Sequence, residues 1–571
     1  MLRLLYLAVV IICLAPTIPG IVGMLASAVG YLPPLGLTSP SLSGFYALAS
    51  WSGVGHSIWL TVSTTLLSGY IALLATFAVL QRCWHSRLWQ RIEASLAPLL
   101  ALPHVAFAIG FAFLFSPTGM ITRVAQTGLD ALSIASDGNW DISLVQHQSG
   151  LGLIAVLALK EMTFFLLMSI PVLNQLRLVQ VCQVAHSLGY SNSQLWWKCV
   201  FPQWLSKMRF PIFAVIAYSA SVVDVALIVG PSNPPTFAVL VWQWFNDPDL
   251  SLLSRAGAGA TVLFALCSVM LSFARALEWL VVKRWRSWQY AGRYGVTLPG
   301  KTLFATLSMI ALLCLPIMLF WSFAQRWRFP DLLPSQWSGR FWQNEGLNIL
   351  PTISDSITIA VISASIALLL ALIAHEYRLK RPAQVPNFLI AIPLLVPQVS
   401  LLFGIQVASL LLGSEHYYFW VCWAHVFFAF PYVFLTLDGP WRSYDKRYSQ
   451  SALSLGKTPL HTWWKIKAPI VFPAIVYGWT IGVSVSLAQY LPTLVLGAGR
   501  IATVTTEAVA LSSGFDRRIT AIYALWQALL PFVFFFFAYV LKQHQKRRSE
   551  RPRKVRTPLT DDASGRKPHH L

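Results

Sequence analysis

The groups best able to do chemistry in this chain stand inside its apolar runs. Lys160-Glu161 interrupts "LIAVLALKEMTFFLLM", Asp224 sits in "SASVVDVALIVG", and Gln489-Tyr490 follows "TIGVSVSLA". Beyond them, "GAGRIATVTTE" (497–507) carries Arg500 and Glu507. Ionisable groups are costly in hydrocarbon and are kept there for pairing or to line a path for polar solutes. Helix neighbours point about 100° apart, so Lys160 and Glu161 do not face one point. They serve either as salt-bridge partners of other helices or as path-lining groups, and the sequence leaves both open. Asp224 is matched 267 positions later by Leu491, so the two places are chemically unequal. An acidic group on such a path weakly favours a cation.

Two stretches imitate catalytic motifs and fail their spacing rules. "GKT" (456–458) resembles the end of a phosphate-binding loop, but the glycine needed five positions earlier is Ser451. "HEYRL" (375–379) lacks the second histidine of a zinc-protease helix. The seven cysteines (13, 83, 182, 199, 267, 314, 422) show no paired spacing for a disulfide framework or a zinc site. The expectation is a polypeptide that is not itself an enzyme and holds no metal.

A third pattern is repeated. "LGYSNSQLWWKCVFP" (188–202) returns as "LGKTPLHTWWKIKAP" (455–469), with Gly189, Trp196, Trp197, Lys198 and Pro202 matched by Gly456, Trp463, Trp464, Lys465 and Pro469. In the first copy "VQVCQVAHSL" reads as a helix that Gly189 ends in a left-handed cap. Ser191 then caps a second short helix, with Gln194 at the capping-box position. In the second copy Gly456 ends a helix, Thr458 caps the next, and Pro459 takes the first helical position, where it is tolerated. A plain amphipathic surface helix anchored by tryptophan explains the Trp-Trp-Lys face but not the bend kept in both copies. A pair of rigid knobs for two copies of one partner explains both, since a two-fold platform suits a two-fold partner.

The elements that position these groups follow from the composition. Of the 571 residues 56% are hydrophobic and only 11% charged, and mean hydropathy is +0.61. Apolar runs such as 6–28, 302–324 and 357–374 approach or exceed the ~20 residues a helix needs to cross a bilayer. The fold class expected is all-α: a polytopic membrane protein with about twelve helices in two parallel six-span repeats. Spans are expected near 5–28, 57–80, 96–116, 151–172, 210–230 and 256–278, then near 302–324, 353–374, 386–413, 418–437, 470–497 and 519–541. The leading run resembles a signal peptide, but its length and its counterpart at 302–324 favour a retained span.

The net charge of +21 is spread in short bursts between spans, which argues for membrane topology rather than nucleic acid. With the N-terminus inside, and setting aside the ten Lys/Arg of 542–571, 22 lie in inside segments and 8 outside. That is the inside bias of cytoplasmic loops. Both repeated loops, and both termini, then fall on the cytoplasmic face. The expected division is a first repeat at 1–282, a basic, aromatic linker at 283–301, a second repeat at 302–541, and a tail at 542–571. The tail, net +7, is expected to be disordered against anionic lipid.

The loops carry a resemblance. Permeases of ATP-binding-cassette (ABC) importers bear a cytoplasmic loop reading E-A-A, three residues, G, nine residues, I-x-L-P. Here Gln183-Val184-Ala185 leads to Gly189 and then Cys199-Val200-Phe201-Pro202; Gln450-Ser451-Ala452 leads to Gly456 and then Ile466-Lys467-Ala468-Pro469. The chain resembles a fused, double-length type I permease, similar to those for thiamine and ferric iron. The resemblance implies docking loops formed by Gln183, Ala185, Gly189, Trp196, Trp197, Lys198 and Pro202, and by Gln450, Ala452, Gly456, Trp463, Trp464, Lys465 and Pro469. It implies two copies of a separate cytoplasmic ATPase, which binds the ATP and Mg, and a periplasmic substrate-binding protein, in a bacterial inner membrane. Lys160, Glu161, Asp224, Gln489, Tyr490, Arg500 and Glu507 are then candidates for the translocation pathway, the last two also for the outer gate or receptor docking. Both loops depart from the pattern in having Gln for the leading Glu, which removes a charge from any ion pair with the partner. A secondary transporter needing no ATPase is the main rival, but "QRCWHSRLWQRIEAS" (81–95) lacks the Gly/Asp/Arg-rich loop expected there. A membrane scaffold or embedded enzyme would leave the matched loops unexplained.

Overall fold

The computed structural model describes residues 2–33, 38–84, 86–131, 144–380, 386, 390, 392–411, 415–514 and 516–550. Residues 551–571, most of the expected tail, and part of the expected span at 386–413 lie outside them. The described chain is almost wholly helical, with one two-stranded antiparallel ribbon pairing Ala324–Arg326 with Gln336–Trp337. Closed helices satisfy backbone groups that lipid cannot. Among the described residues ten helices are long and apolar enough to cross a membrane, from Arg3–Ala28 to Arg517–Gln545.

Five of the twelve expected spans are interrupted among the described residues: 5–28 by a turn at Leu14–Pro16, 96–116 by extended Leu102-Pro103, and 210–230, 386–413 and 470–497 as follows. At 210–230 the helix Arg209–Ser221 stops, Val222 becomes extended, and a new helix runs Asp224–Val229. The β-branched pair Val222-Val223 is poor helix material, and Asp224 Oδ1 accepts the Val225 N–H at 2.9 Å, a local alternative to the helical ladder. At 386–413 the described pieces are Ile392–Leu395 and Gln398–Leu411. The second half repeats the first break, where Ala468–Leu487 gives way to Leu491–Gly497. Pro492, without an N–H, suits the first turn of the new helix.

The internal repeat is structural. Asn192–Leu195 and Pro459–Thr462 are 267 residues apart, as are Phe237–Phe245 and Val504–Ser512. Towards the N-terminus the offset becomes 294: Pro103-His104-Val105 opens one helix and Pro397-Gln398-Val399 another. The added residues fall between the third and fourth spans of the first half.

The leading span of each half packs against the other half. Thr17–Ala28 lies on Gln398–Leu411, and Gly300–Phe323 lies on His104–Phe115. Glycine permits both approaches: a Cβ on Gly23 would sit 2.5 Å from the Gly404 carbonyl oxygen, and one on Gly110 2.6 Å from Cys314 Cβ. Small residues at such contacts let helix backbones close in where no hydrophobic drive favours association. The two contacts are themselves repeat-related, since Gly110 and Gly404 are 294 residues apart. The largest buried cluster accordingly mixes side chains of both halves, among them Phe107, Phe111, Val225, Phe403 and Phe427.

Candidate functional site

The two bent loops share one backbone design. Gly189 and Gly456 have φ of +78° and +76°, a region that costs other L-residues steric strain. In loop I the Tyr190 N–H reaches the Ala185 carbonyl (3.0 Å) and the Gly189 N–H that of His186 (3.0 Å). In loop II Lys457 reaches Ala452 (3.1 Å) and Gly456 reaches Leu453 (3.0 Å). Both are the paired bonds of a Schellman cap, with the buried alanine of each motif supplying the inner acceptor. The next helix opens on a Ser191–Gln194 capping box in loop I and on Thr458, bonded to the His461 N–H, in loop II. Each helix then widens into a π-turn, Trp196–Val200 and Trp463–Lys467.

The tips are alike. Gln183, Leu188 and Gly189 in loop I are exposed, as are Gln450, Leu455 and Gly456 in loop II. Their flanks are not. In loop I Trp196 is buried and, with the half-buried Trp197, packs edge-on against Phe77 at ring distances of 6.0 and 4.9 Å; Pro202 is buried too. Lys198 is buried and donates to the carbonyls of Trp288 and Ala291. Trp197 Nε1 donates to Val296 O at 2.9 Å, and Gln194 Nε2 to Arg293 O. The segment 288–296 is thus bound along the flank of loop I. In loop II Trp463 Nε1 (3.0 Å) and Lys467 Nζ both reach Glu376 Oε1, which also accepts from Trp441 (3.2 Å). Trp464, Lys465 and Pro469 stay exposed. Burial pushes the Cys182 and Cys199 thiols up, Cys182 also through Cys199, so loop I carries packed rather than reactive thiols.

The intramembrane groups divide. Lys160 Nζ donates to Leu99 O (3.0 Å) and Leu102 O (2.6 Å), closing the carbonyl end of the helix Arg87–Ala101. Glu161 points elsewhere, its Oε1 3.5 Å from His104 Nε2. His104 stacks obliquely on Tyr218 at 5.0 Å, and Asp224 lies within electrostatic reach of His104, Tyr218 and Tyr490. Tyr432 lies within reach of Glu161. Glu161, Asp224 and Tyr490 therefore meet, with His104, Tyr218 and Tyr432, from helices of both halves. Tyr432 is exposed, and His104, Tyr218 and Asp224 are half-buried, so these groups are not all sealed in the core. At the break beside Tyr490, Gln489 is buried and its side-chain nitrogen and oxygen have no hydrogen-bond partner among the described residues.

The outer pair stands apart from this centre. Arg500 is exposed, 4.4 Å above the Tyr417 ring, and Glu507 is half-buried in the first turn of Val504–Ser512. Sequence reasoning missed His104, Tyr218 and Tyr432, and also His425, which bonds Ser486 (2.7 Å) and Thr493 (2.9 Å). A histidine within an apolar run was a usable signal for the latter. The tyrosines carried none, since aromatics are ordinary in spans.

A doubled bundle of membrane-length helices, broken around a polar centre and bearing two matched surface loops, defines a membrane permease. No protein-family model matches the chain. It is 31% identical over 540 residues, 92% of this chain and 94% of the other, to the inner membrane ABC transporter permease protein YnjC of Escherichia coli (strain K12). It is also 26% identical over 227 residues to the putrescine transport system permease protein PotI of the same strain, covering 38% of this chain and 79% of that one. With the spermidine/putrescine transport system permease protein PotC of Haemophilus influenzae it shares 31% over 159 residues, 26% of this chain and 59% of that one. The chain belongs to the ABC transporter permease family, and is a transmembrane permease subunit of such a transporter.

Proposed function

We propose that this subunit forms both halves of the membrane pathway of an importer for a small cation, with two motors attached through its two loops. Residues 1–282 and 302–541 form the two permease repeats, joined by 283–301. The exposed tips around Gly189 and Gly456 each seat one copy of an ATPase, which supplies ATP and Mg. A substrate-binding protein delivers the solute from the opposite face, near Arg500 and Glu507. Loops and termini are cytoplasmic, and the membrane is a bacterial inner membrane. Closure of the motors tilts the half-bundles as rigid bodies about the broken helices, alternating access to the centre.

The observation that carries the cation reading is the approach of Glu161 and Asp224 to Tyr218, Tyr432 and Tyr490, drawn from helices of both halves. Carboxylates pair with a positive charge, and tyrosine faces attract it further. Two relatives are named for the cations putrescine and spermidine, which fits that chemistry. The first test is a gentle detergent pull-down of the tagged chain with mass spectrometry of its companions. About two ATPase copies per chain, lost in the Gly189→Asp, Gly456→Asp double variant, is the expected result; the chain alone in every detergent would return weight to a secondary transporter. With the co-purified ATPase in liposomes, Asp224→Asn and Glu161→Gln should each abolish ATP-driven uptake of putrescine or thiamine. Uptake of anions alone would remove the cation assignment.

A further inference from the structure

Arginines gather at the end of the bundle away from the two loops, where the charge bias leaves few basic residues. The last helix begins at Arg517 and reaches loop II at Gln545, whose Nε2 donates to Pro469 O at 2.7 Å. The 29 residues from Arg517 to Gln545 rise about 42 Å, close to the ~40–45 Å of a bilayer with its headgroups. Arg517 therefore stands at headgroup level on the opposite face. It lines a cavity of about 470 Å³ together with Arg123, Arg518, Asp516 and the rings of Trp321 and Trp327. Of the eight Lys/Arg that the charge bias puts outside, these are three. Arg326 and Arg328, two more, are exposed on either side of Trp327.

One residue positions two of the guanidinium groups. Thr118 accepts from Arg123 Nε on its carbonyl (3.1 Å) and from Arg517 Nη2 on its hydroxyl (2.9 Å). Arg123 is buried, and its Nη1 donates to the carbonyls of Arg328 (2.7 Å) and Asp331 (2.6 Å). Trp327 lies 4.9 Å from the Arg123 guanidinium and Trp321 5.1 Å from that of Arg517. Arg123 Nη2 and Arg517 Nε and Nη1 have no hydrogen-bond partner among the described residues. Two carboxylates answer the three arginines: Asp516, 3.8 Å from Arg518, and Asp331, within electrostatic reach of Arg123. Arg517 also opens a helix, where the macrodipole opposes a cation. An anion in the cavity offsets both the surplus charge and the dipole. We propose that this cavity holds one phosphate group, supplied by an anionic phospholipid headgroup of the facing leaflet or by free phosphate. Arginine forks match phosphate oxygens in pairs, and tryptophan is at home at the membrane–water interface. The site stands independently of the motors and of the cation path.

The test places the full chain in phosphatidylcholine nanodiscs and follows arginine labelling by phenylglyoxal, mapped by peptide mass spectrometry. Including phosphatidylglycerol should slow labelling of Arg517 roughly tenfold, the hold of one charged hydrogen bond. Arg326, its exposed neighbour outside the cavity, should be unchanged. Slowing by added inorganic phosphate alone keeps the site and makes free phosphate its occupant; slowing by both keeps it for either source. Equal slowing at Arg517 and Arg326 reports the general pull of an anionic surface and overturns the proposal. Protection of Arg517 by neither anion overturns it as well. So does protection that needs a periplasmic extract, since the occupant would then be a protein.

Discussion

Loop I and loop II have the same backbone and opposite fastenings. Both bend at a left-handed glycine, close on a Schellman cap and restart from a hydroxyl N-cap. Loop I is then fastened by aromatic packing around Phe77 and by carbonyls of the linker. Loop II is fastened by one carboxylate, Glu376, that gathers Trp441, Trp463 and Lys467. Ile71–Leu74 matches Ile366–Leu369 at an offset of 295, which pairs Glu376 with Gln81, and in the 267-residue register Lys467 is matched by Val200. The ion pair thus belongs to one copy. Duplicated segments kept the geometry a partner would meet and let the support behind it diverge. Apolar area and a buried ion pair are interchangeable supports, provided every buried donor keeps an acceptor.

This comparison breaks most sharply at Glu376. Glu376→Ala leaves Lys467 buried without its carboxylate, and should cost about 3 kcal/mol of stability. Thermal unfolding of the purified protein measures it, and limited proteolysis should open loop II while loop I stays protected. Next comes Gly295→Val, whose side chain collides with the backbone of Gln194 and Ser193. It should lift the linker at a cost of about 2 kcal/mol, read as faster tryptic cleavage at Arg286 and Arg293. Lys198→Met removes a charged donor from two carbonyls, for roughly 1.5 kcal/mol, whereas Lys465→Met should cost clearly less; equal costs would erase the asymmetry. The smallest effect belongs to Leu460→Ser, which places at the exposed position of loop II the residue found at Ser193. Stability should change by no more than about 0.5 kcal/mol, while ATPase recovery in the pull-down falls.

How much of this was open to sequence reasoning depends on range. The bend at Gly189 and the cap at Ser191 were legible because each is settled by residues within one helical turn. The fold class was legible because membrane length and low charge leave the backbone few other options. The breaks at Val222 and Ala488 were not read, although Pro492 and the Val222-Val223 pair lie beside them. A run of apolar residues looks the same whether its helix is whole or interrupted. Lys160 and Glu161 were known to diverge, but not which of them met the carbonyls of Leu99 and Leu102.

The sequence by itself determined that this is a polytopic helical protein, doubled at a 267-residue spacing, with two bent loops of one design. Those features follow from local dihedral preference, from apolar length, and from repetition, none of which needs a distant partner. Tertiary structure alone decided that each leading span crosses to the other half, and that Glu161 and Asp224 face common tyrosines. It also decided that Trp197 and Lys198 bind the linker, while Trp464 and Lys465 stay exposed among the described residues. Those outcomes depend on which surfaces close-pack across two hundred residues of chain, where glycine contacts and buried donors select one arrangement from many that local sequence permits equally.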